Sequence, residues 1–221
     1  MAEPLNTENS VEVFCSYAHR DEALRKEFET HVAILQRKKW VQVWHDRQIG
    51  AGEDWAGDID EHLNSADIIT LFISADFLAS DYCYEKELSR ALEREAQKKA
   101  LVLPIIARPC DWEDASFAHL QAVPFGAKAV TSWTNRDEAW MDVAISLRKA
   151  VGQVITRKLE IAALRQKEFS RLVSADMERL RQHERMMTEM NLKLWQIQQD
   201  ILLNKHKGDG PLGDFSDYVR Q

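Results

Sequence analysis

A chain of 221 residues with 45% hydrophobic content has room and apolar surface for one ordinary domain plus an extension, which excludes a disordered-tail protein. Its formal net charge of −7 excludes general binding to nucleic acid or to anionic membranes, since both need an overall basic footprint. Cys15, Cys83 and Cys110 form no CxxC pair, so neither a disulfide framework nor a metal site is expected, and a reducing cytoplasm fits best. The polar opening MAEPLNTENS lacks the apolar core of a secretion signal, and no apolar run reaches the roughly 20 residues that cross a bilayer.

Residues 1–10 read as a flexible leader. Val11, Val13 and Phe14 then predict a first strand that ends at Cys15, Ser16 and Tyr17. Asp21 to Arg37 carries Leu24, Phe28, Val32 and Leu35 on one helical stripe, and Trp40 to Trp44 predicts a second strand. The loop HDRQIGAGEDW follows, with Gly50 and Gly52 marking irregular backbone. Trp55 to Ser65 returns to helical spacing through Ile59 and Leu63.

The chain is organised around Ile68 to Leu92. Ile68, Ile69, Leu71, Phe72 and Ile73 form an uncharged, β-branched-rich block, the pattern of a central strand covered on both faces. Ser74 ends it, Ser80 or Asp81 offers an N-cap oxygen, and Glu85 and Glu87 fall in the first turns of a helix predicted over Tyr82 to Lys98. Ligands of open α/β sheets bind beyond the carboxyl ends of the strands, where these carboxylates would stand. Leu101 to Ile106 is a fourth buried strand. Asp111 to Gly126 is irregular, with Trp112, Phe117, Leu120 and Phe125 as apolar anchors, and Lys128 to Val130 is expected as a short fifth strand. Trp140, Val143, Leu147 and Val151 place one more amphipathic helix over Arg136 to Val151. Alternating strands and helices over residues 11–151 imply a five-stranded parallel sheet flanked by helices, a flavodoxin-like α/β outline.

Residues 152–204 form a helical extension. Val173, Leu180, Met187, Leu194 and Ile201 recur every seven residues, joined by Met190 and Ile197 at alternating spacings of three and four, which is a coiled-coil seam. The same stripe is open to self-association or to folding back on the domain. Residues 205–221, rich in Gly and Asp, read as a mobile tail.

There is no P-loop, GxSxG or HExxH, and GAG at 50–52 lacks the third glycine of a dinucleotide fingerprint. Five ordered blocks do carry a resemblance. VFCSYAHRDE, VWHDRQIGAGEDW, ISADFLASDYCYEKEL, PIIARPCDW and SWTNRDEAW resemble, in that order, the Toll/interleukin-1 receptor (TIR) domains of the bacterial branch, over about residues 11–151. The second block is similar to their second strand and BB loop, and the third to the approach to their αC helix.

The resemblance implies one of two activities: hydrolysis of NAD+ at the nicotinamide glycosidic bond, in bacterial defence or signalling, or non-enzymatic scaffolding by homotypic contacts with itself or other TIR proteins. In enzymatic members a glutamate early in αC is essential; Glu87 is the best match and Glu85 the second. The aromatic that usually stands four residues before that glutamate is replaced by Cys83, with Tyr82 one residue earlier. NAD+ would be substrate, with no cofactor and no metal, and the active state an oligomer built through the TIR domain and the C-terminal helix. Phe14, Ser16 and Tyr17, with Trp44, His45 and Arg47, would line the pocket by stacking and phosphate contact. Asp46 is expected to fix the loop, and His45 has no evident triad partner. The product, linear or cyclic ADP-ribose, is left open.

Overall fold

The structure is a computed structural model that describes residues 10–46 and 55–207. The leader up to residue 9, most of the BB loop including Arg47, and the tail from residue 208 lie outside the described residues. By its contacts the chain divides after Glu160.

The first unit is a parallel sheet flanked by helices. Four strands, β1 (Val11–Ser16), β2 (Val41–Trp44), β3 (Ile68–Ile73) and β4 (Leu101–Ile106), stand in the order β2-β1-β3-β4. Central strand β1 is buried except at Glu12, and β3 is buried at every residue, as an uncharged run requires. Helix α1 (Glu22–Arg37) buries the stripe Leu24, Phe28, Val32 and Leu35, and α2 (Trp55–Ser65) buries Ile59 and Leu63. Trp140, Val143, Leu147 and Val151 anchor the start of α5 (Arg136–Lys207) in the core that contains Phe28 and Phe72. Burying each such side chain contributes about 1.5–3 kcal/mol against leaving it in water.

Three sequence expectations change. The fifth strand is absent among the described residues: Val130–Ser132 is a turn of 3₁₀ helix, and what remains of a fifth strand is a single parallel bridge from Val123 to Ile105 on β4. Pro124 follows at once and has no N–H with which to extend that ladder. Phe125 is not an anchor; it is 82% exposed, whereas Phe117 is fully buried. Finally, the helix expected over Tyr82 to Lys98 is split. After the short α3 (Ala75–Leu78), whose N-cap Ser74 accepts from the Phe77 amide at 3.1 Å, the chain makes a π-helical segment, Tyr82–Leu88, before α4 (Ser89–Ala96).

Helix α5 runs without a break through Gly152. Val154 is still buried, and Lys158 Nζ reaches Asp67 Oδ2 at 2.6 Å, so the first unit holds the helix nearly two turns beyond Val151. In the second unit, every residue from Ile161 to Leu202 is exposed. No helix among the described residues is long and apolar enough to cross a membrane.

Candidate functional site

In the strand order β2-β1-β3-β4, the connections that leave β1 and β3 run in opposite directions, so the carboxyl ends of these two strands flank a switch point where the sheet opens a crevice. A cavity of about 360 Å³ lies beside the end of β1. Phe14, Cys15, Tyr17 and the turn after them form one wall, and Ile59 of α2 another. Ser80, Tyr82, Cys83 and Glu87 close it from the π-helical segment and its approach, and Asp46 stands after β2. The size is that of small-molecule sites.

The π-helical turn decides which glutamate faces inward. Ser80 Oγ accepts from the Cys83 amide at 3.3 Å, making Ser80 rather than Asp81 the capping side chain. The wider turns that follow bury Cys83, Glu87 and Leu88 and leave Glu85 exposed. Such turns inside helices are frequent at functional sites.

Glu87 is 6% exposed, and Ser16 Oγ, at the end of β1, donates a short hydrogen bond to its Oε2. Among the described residues no cation pairs with it. Burial therefore dominates and pushes its carboxyl up to about 7; the Ser16 hydroxyl acts the other way, and the charges of Asp46 and Asp60 add to the rise. A carboxyl poised near neutral pH in a cavity is a functional candidate on physical grounds.

Asp46 is the residue that the sequence reading missed as part of the site. It lines the cavity, accepts from Tyr17 Oη at 2.7 Å and has His19 Nδ1 3.7 Å away. The signal that would have found it is register: β1 and β2 pair with Phe14 opposite Trp44, and continuing that pairing sets Asp46 level with Ser16. Tyr17 is held by this bond and by the Arg25 guanidinium, 5.5 Å from its ring centre; burial and Asp46 raise its phenol well above the ordinary range.

Phe14, Ser16, Tyr17, Tyr82, Cys83 and Glu87 thus come together at or beside one cavity. Trp44 is not among the lining residues. It stacks between Phe14, at 5.3 Å, and His62, at 4.2 Å, beside a much smaller crevice. His45 does have a partner: its Nε2 lies 3.2 Å from Glu29 Oε1, which also meets Arg25 Nη1 at 2.5 Å. Arg25 and His45 are buried and Glu29 is partly exposed, and His45 does not line the cavity either. Cys83 is a wall, since burial pushes its thiol up to about 11 and keeps it protonated.

A second carboxylate cluster stands next to the cavity. Asp21, 1% exposed, receives Arg108 Nε at 2.6 Å and Ser74 Oγ at 2.5 Å, and Arg108 also pairs with Asp76, which lines the cavity rim.

The family model described as "TIR domain" matches residues 13–141. The chain is 51% identical, over 142 residues, to the uncharacterized protein y4lF of Sinorhizobium fredii; the match is 64% of this chain and 44% of that relative, so the chain spans less than half of the relative's length. Among solved structures it is similar to the TIR domain of the Toll-related receptor TRR-2 of Hydra magnipapillata, with 20% identity and a TM-score of 0.46 over 62% of this chain and 97% of that one. It is also similar to the TIR domains of the activated Roq1 resistosome recognising the pathogen effector XopQ, with 20% identity and a TM-score of 0.36 over 66% of this chain and 84% of that one.

Proposed function

The chain belongs to the TIR domain family, and from that premise we propose that its cavity binds NAD+ and cleaves the bond between nicotinamide and ribose, releasing nicotinamide and ADP-ribose or a cyclic isomer. The observation that carries this reading is a buried carboxylate, Glu87, held by one serine and, among the described residues, left without a cation at a cavity walled by aromatics.

The chemistry follows from that environment. As the glycosidic bond breaks, its electron pair moves to the ring nitrogen and turns the pyridinium into neutral nicotinamide, while positive charge grows on the ribose as an oxocarbenium. Nicotinamide leaves without needing a proton, so the site needs no general acid. Ionised Glu87, oriented by Ser16, stabilises the ribose charge and accepts hydrogen bonds from the ribose hydroxyls, and its exclusion from water strengthens both effects. The cationic ring also favours the ionised form, so substrate binding draws the Glu87 carboxyl down from about 7. Water then adds at the anomeric carbon and gives up a proton, or an adenine nitrogen of the same molecule attacks and closes a ring. Phe14 and Tyr82 offer flat faces to the bases, and Asp46, held by Tyr17, adds a second negative charge that favours a cationic substrate. The thiols Cys15 and Cys83 are free, which suits a reducing cytoplasm.

Incubating the full chain with NAD+ and following free nicotinamide tests the reading. Release that disappears in Glu87→Ala supports it, and release unchanged in that variant removes Glu87 from the mechanism. One observation favours the second reading, scaffolding through TIR–TIR contacts: Phe125 is 82% exposed on the first unit, with Met141 and Ile145 of α5 also exposed. Under that reading no nicotinamide appears from assembled protein, and Phe125→Ser weakens self-association.

A further inference from the structure

In the second unit the side chains of helix α5 are exposed from Ile161 to Leu202, and a helix gains most of its stability from burying an apolar face. Its side chains are nevertheless not those of a solvated helix. Leu159, Val173, Leu180, Met187, Leu194 and Ile201 occupy one heptad position, a, interrupted only by Gln166. Ala162, Phe169, Met190 and Ile197 occupy position d. Leu180, Leu194, Ile197 and Ile201 are each more than half exposed. We infer that this face is covered by the same helix of a second copy, in a parallel, in-register, two-stranded coiled coil running from about Leu159 to Ile201.

The flanking positions argue for the orientation. In a parallel pair each g residue faces the e residue five positions later on the other chain. That sets Arg179 against Glu184, twice by symmetry, and Leu172 against Met177, so charge meets opposite charge and apolar meets apolar. An antiparallel pair centred on the same seam faces g against g, and Arg165, Arg179 and Lys193 would then repel. The seam is polar at Asp176 and His183, side chains that keep access to water at the edge of a two-stranded seam and lose it in a larger bundle; such residues fix register. Arg179 Nη1 lies 3.4 Å from Asp176 Oδ1 of its own helix, which offsets the facing of two aspartates. Roughly two dozen side chains per copy take part, matching the 20–30 a side of a standard interface.

The pairing is independent of the reaction proposed above, and its test reads no turnover. The full chain should scatter light as twice its 25.5 kDa mass at micromolar concentration. The double variant Leu180→Asp/Leu194→Asp should halve the mass while keeping the melting transition of the α/β domain. Met190→Cys should form a disulfide-linked dimer on mild oxidation, whereas Leu192→Cys, on the outer face, should not. A parent mass of one chain or of three and more, a double mass that survives both aspartates, or a Met190→Cys variant that fails to cross-link would each overturn the parallel pair.

Discussion

Two buried carboxylates stand at the same end of the sheet, and their surroundings are opposites. Asp21 is met by an arginine and a serine, Arg108 and Ser74, and Arg108 goes on to hold Asp76. Among the described residues Glu87 is met by a serine alone. A paired buried charge sustains structure, because desolvation is offset by a fixed partner. An unpaired one is costly to the fold and keeps its field for whatever enters the cavity. The first cluster ties together the turn after β1, the turn after β3 and the turn after β4; the second lies at the candidate site.

The sharpest way to break this contrast is to remove each acid's function in turn. Glu87→Ala should lower nicotinamide release by about 10³-fold, roughly 4 kcal/mol of barrier, with the fold intact. Residual release within tenfold of the parent would mean that the carboxylate is not at the reacting sugar. Arg108→Ala should do the reverse kind of damage. It leaves Asp21 buried without its cation and should cost about 3 kcal/mol in a denaturant titration, the low end for a buried pair because the guanidinium is itself one-third exposed. A midpoint unchanged in that variant would show that the cluster does not clasp the strand ends.

Sequence patterns reached this contrast only halfway. The strands and the stripes of α1 and α5 were legible because burial on both faces leaves an unbroken apolar run such as Ile68 to Ile73, and burial on one face imposes a helical period such as Trp140, Val143, Leu147 and Val151. Position after a central strand pointed to Glu85 and Glu87 alike, and only the family resemblance put Glu87 first. What makes Glu87 face inward was not legible, because a π-helical turn depends on how Cys83 and Leu88 pack, and no local residue announces it. Asp46 and Arg108 were missed for a related reason. Their partners, Tyr17 and Asp21, are distant in sequence, and only the parallel register brings them together. The fifth strand failed at Pro124, where a missing N–H outweighs the β propensity of the residues after it.

A stability measurement sharpens the contrast further. Glu87 binds its proton more tightly folded, near pH 7, than unfolded, near the ordinary glutamate value of 4.5, so the folded state loses stability as pH rises between those two values. Glu87→Gln removes that loss. The buried amide lacks partners for its hydrogens at every pH, so the variant should fall about 1 kcal/mol below the parent near pH 4.5 and exceed it by about 2 kcal/mol at pH 8. A variant less stable than the parent at pH 8 would indicate that Glu87 has a cation outside the described residues.

The smallest effect expected is also the most diagnostic of the serine. Ser16 donates to the ionised form of Glu87 and is the one described group that draws its carboxyl down, so Ser16→Ala should raise that carboxyl further. Because the ionised form stabilises the ribose cation, the kcat/KM for nicotinamide release should climb with pH through about 7 in the parent and climb later in the variant. At pH 7, where the parent is half ionised, one unit of displacement should leave the variant about fivefold below the parent, and at pH 9 it should recover most of that loss. A merely structural serine would lower the whole profile without moving it. A limb that stays at 7 while activity falls would reassign Ser16 to holding the end of β1, leaving the charge of Glu87 to be set by burial and by Asp46 and Asp60.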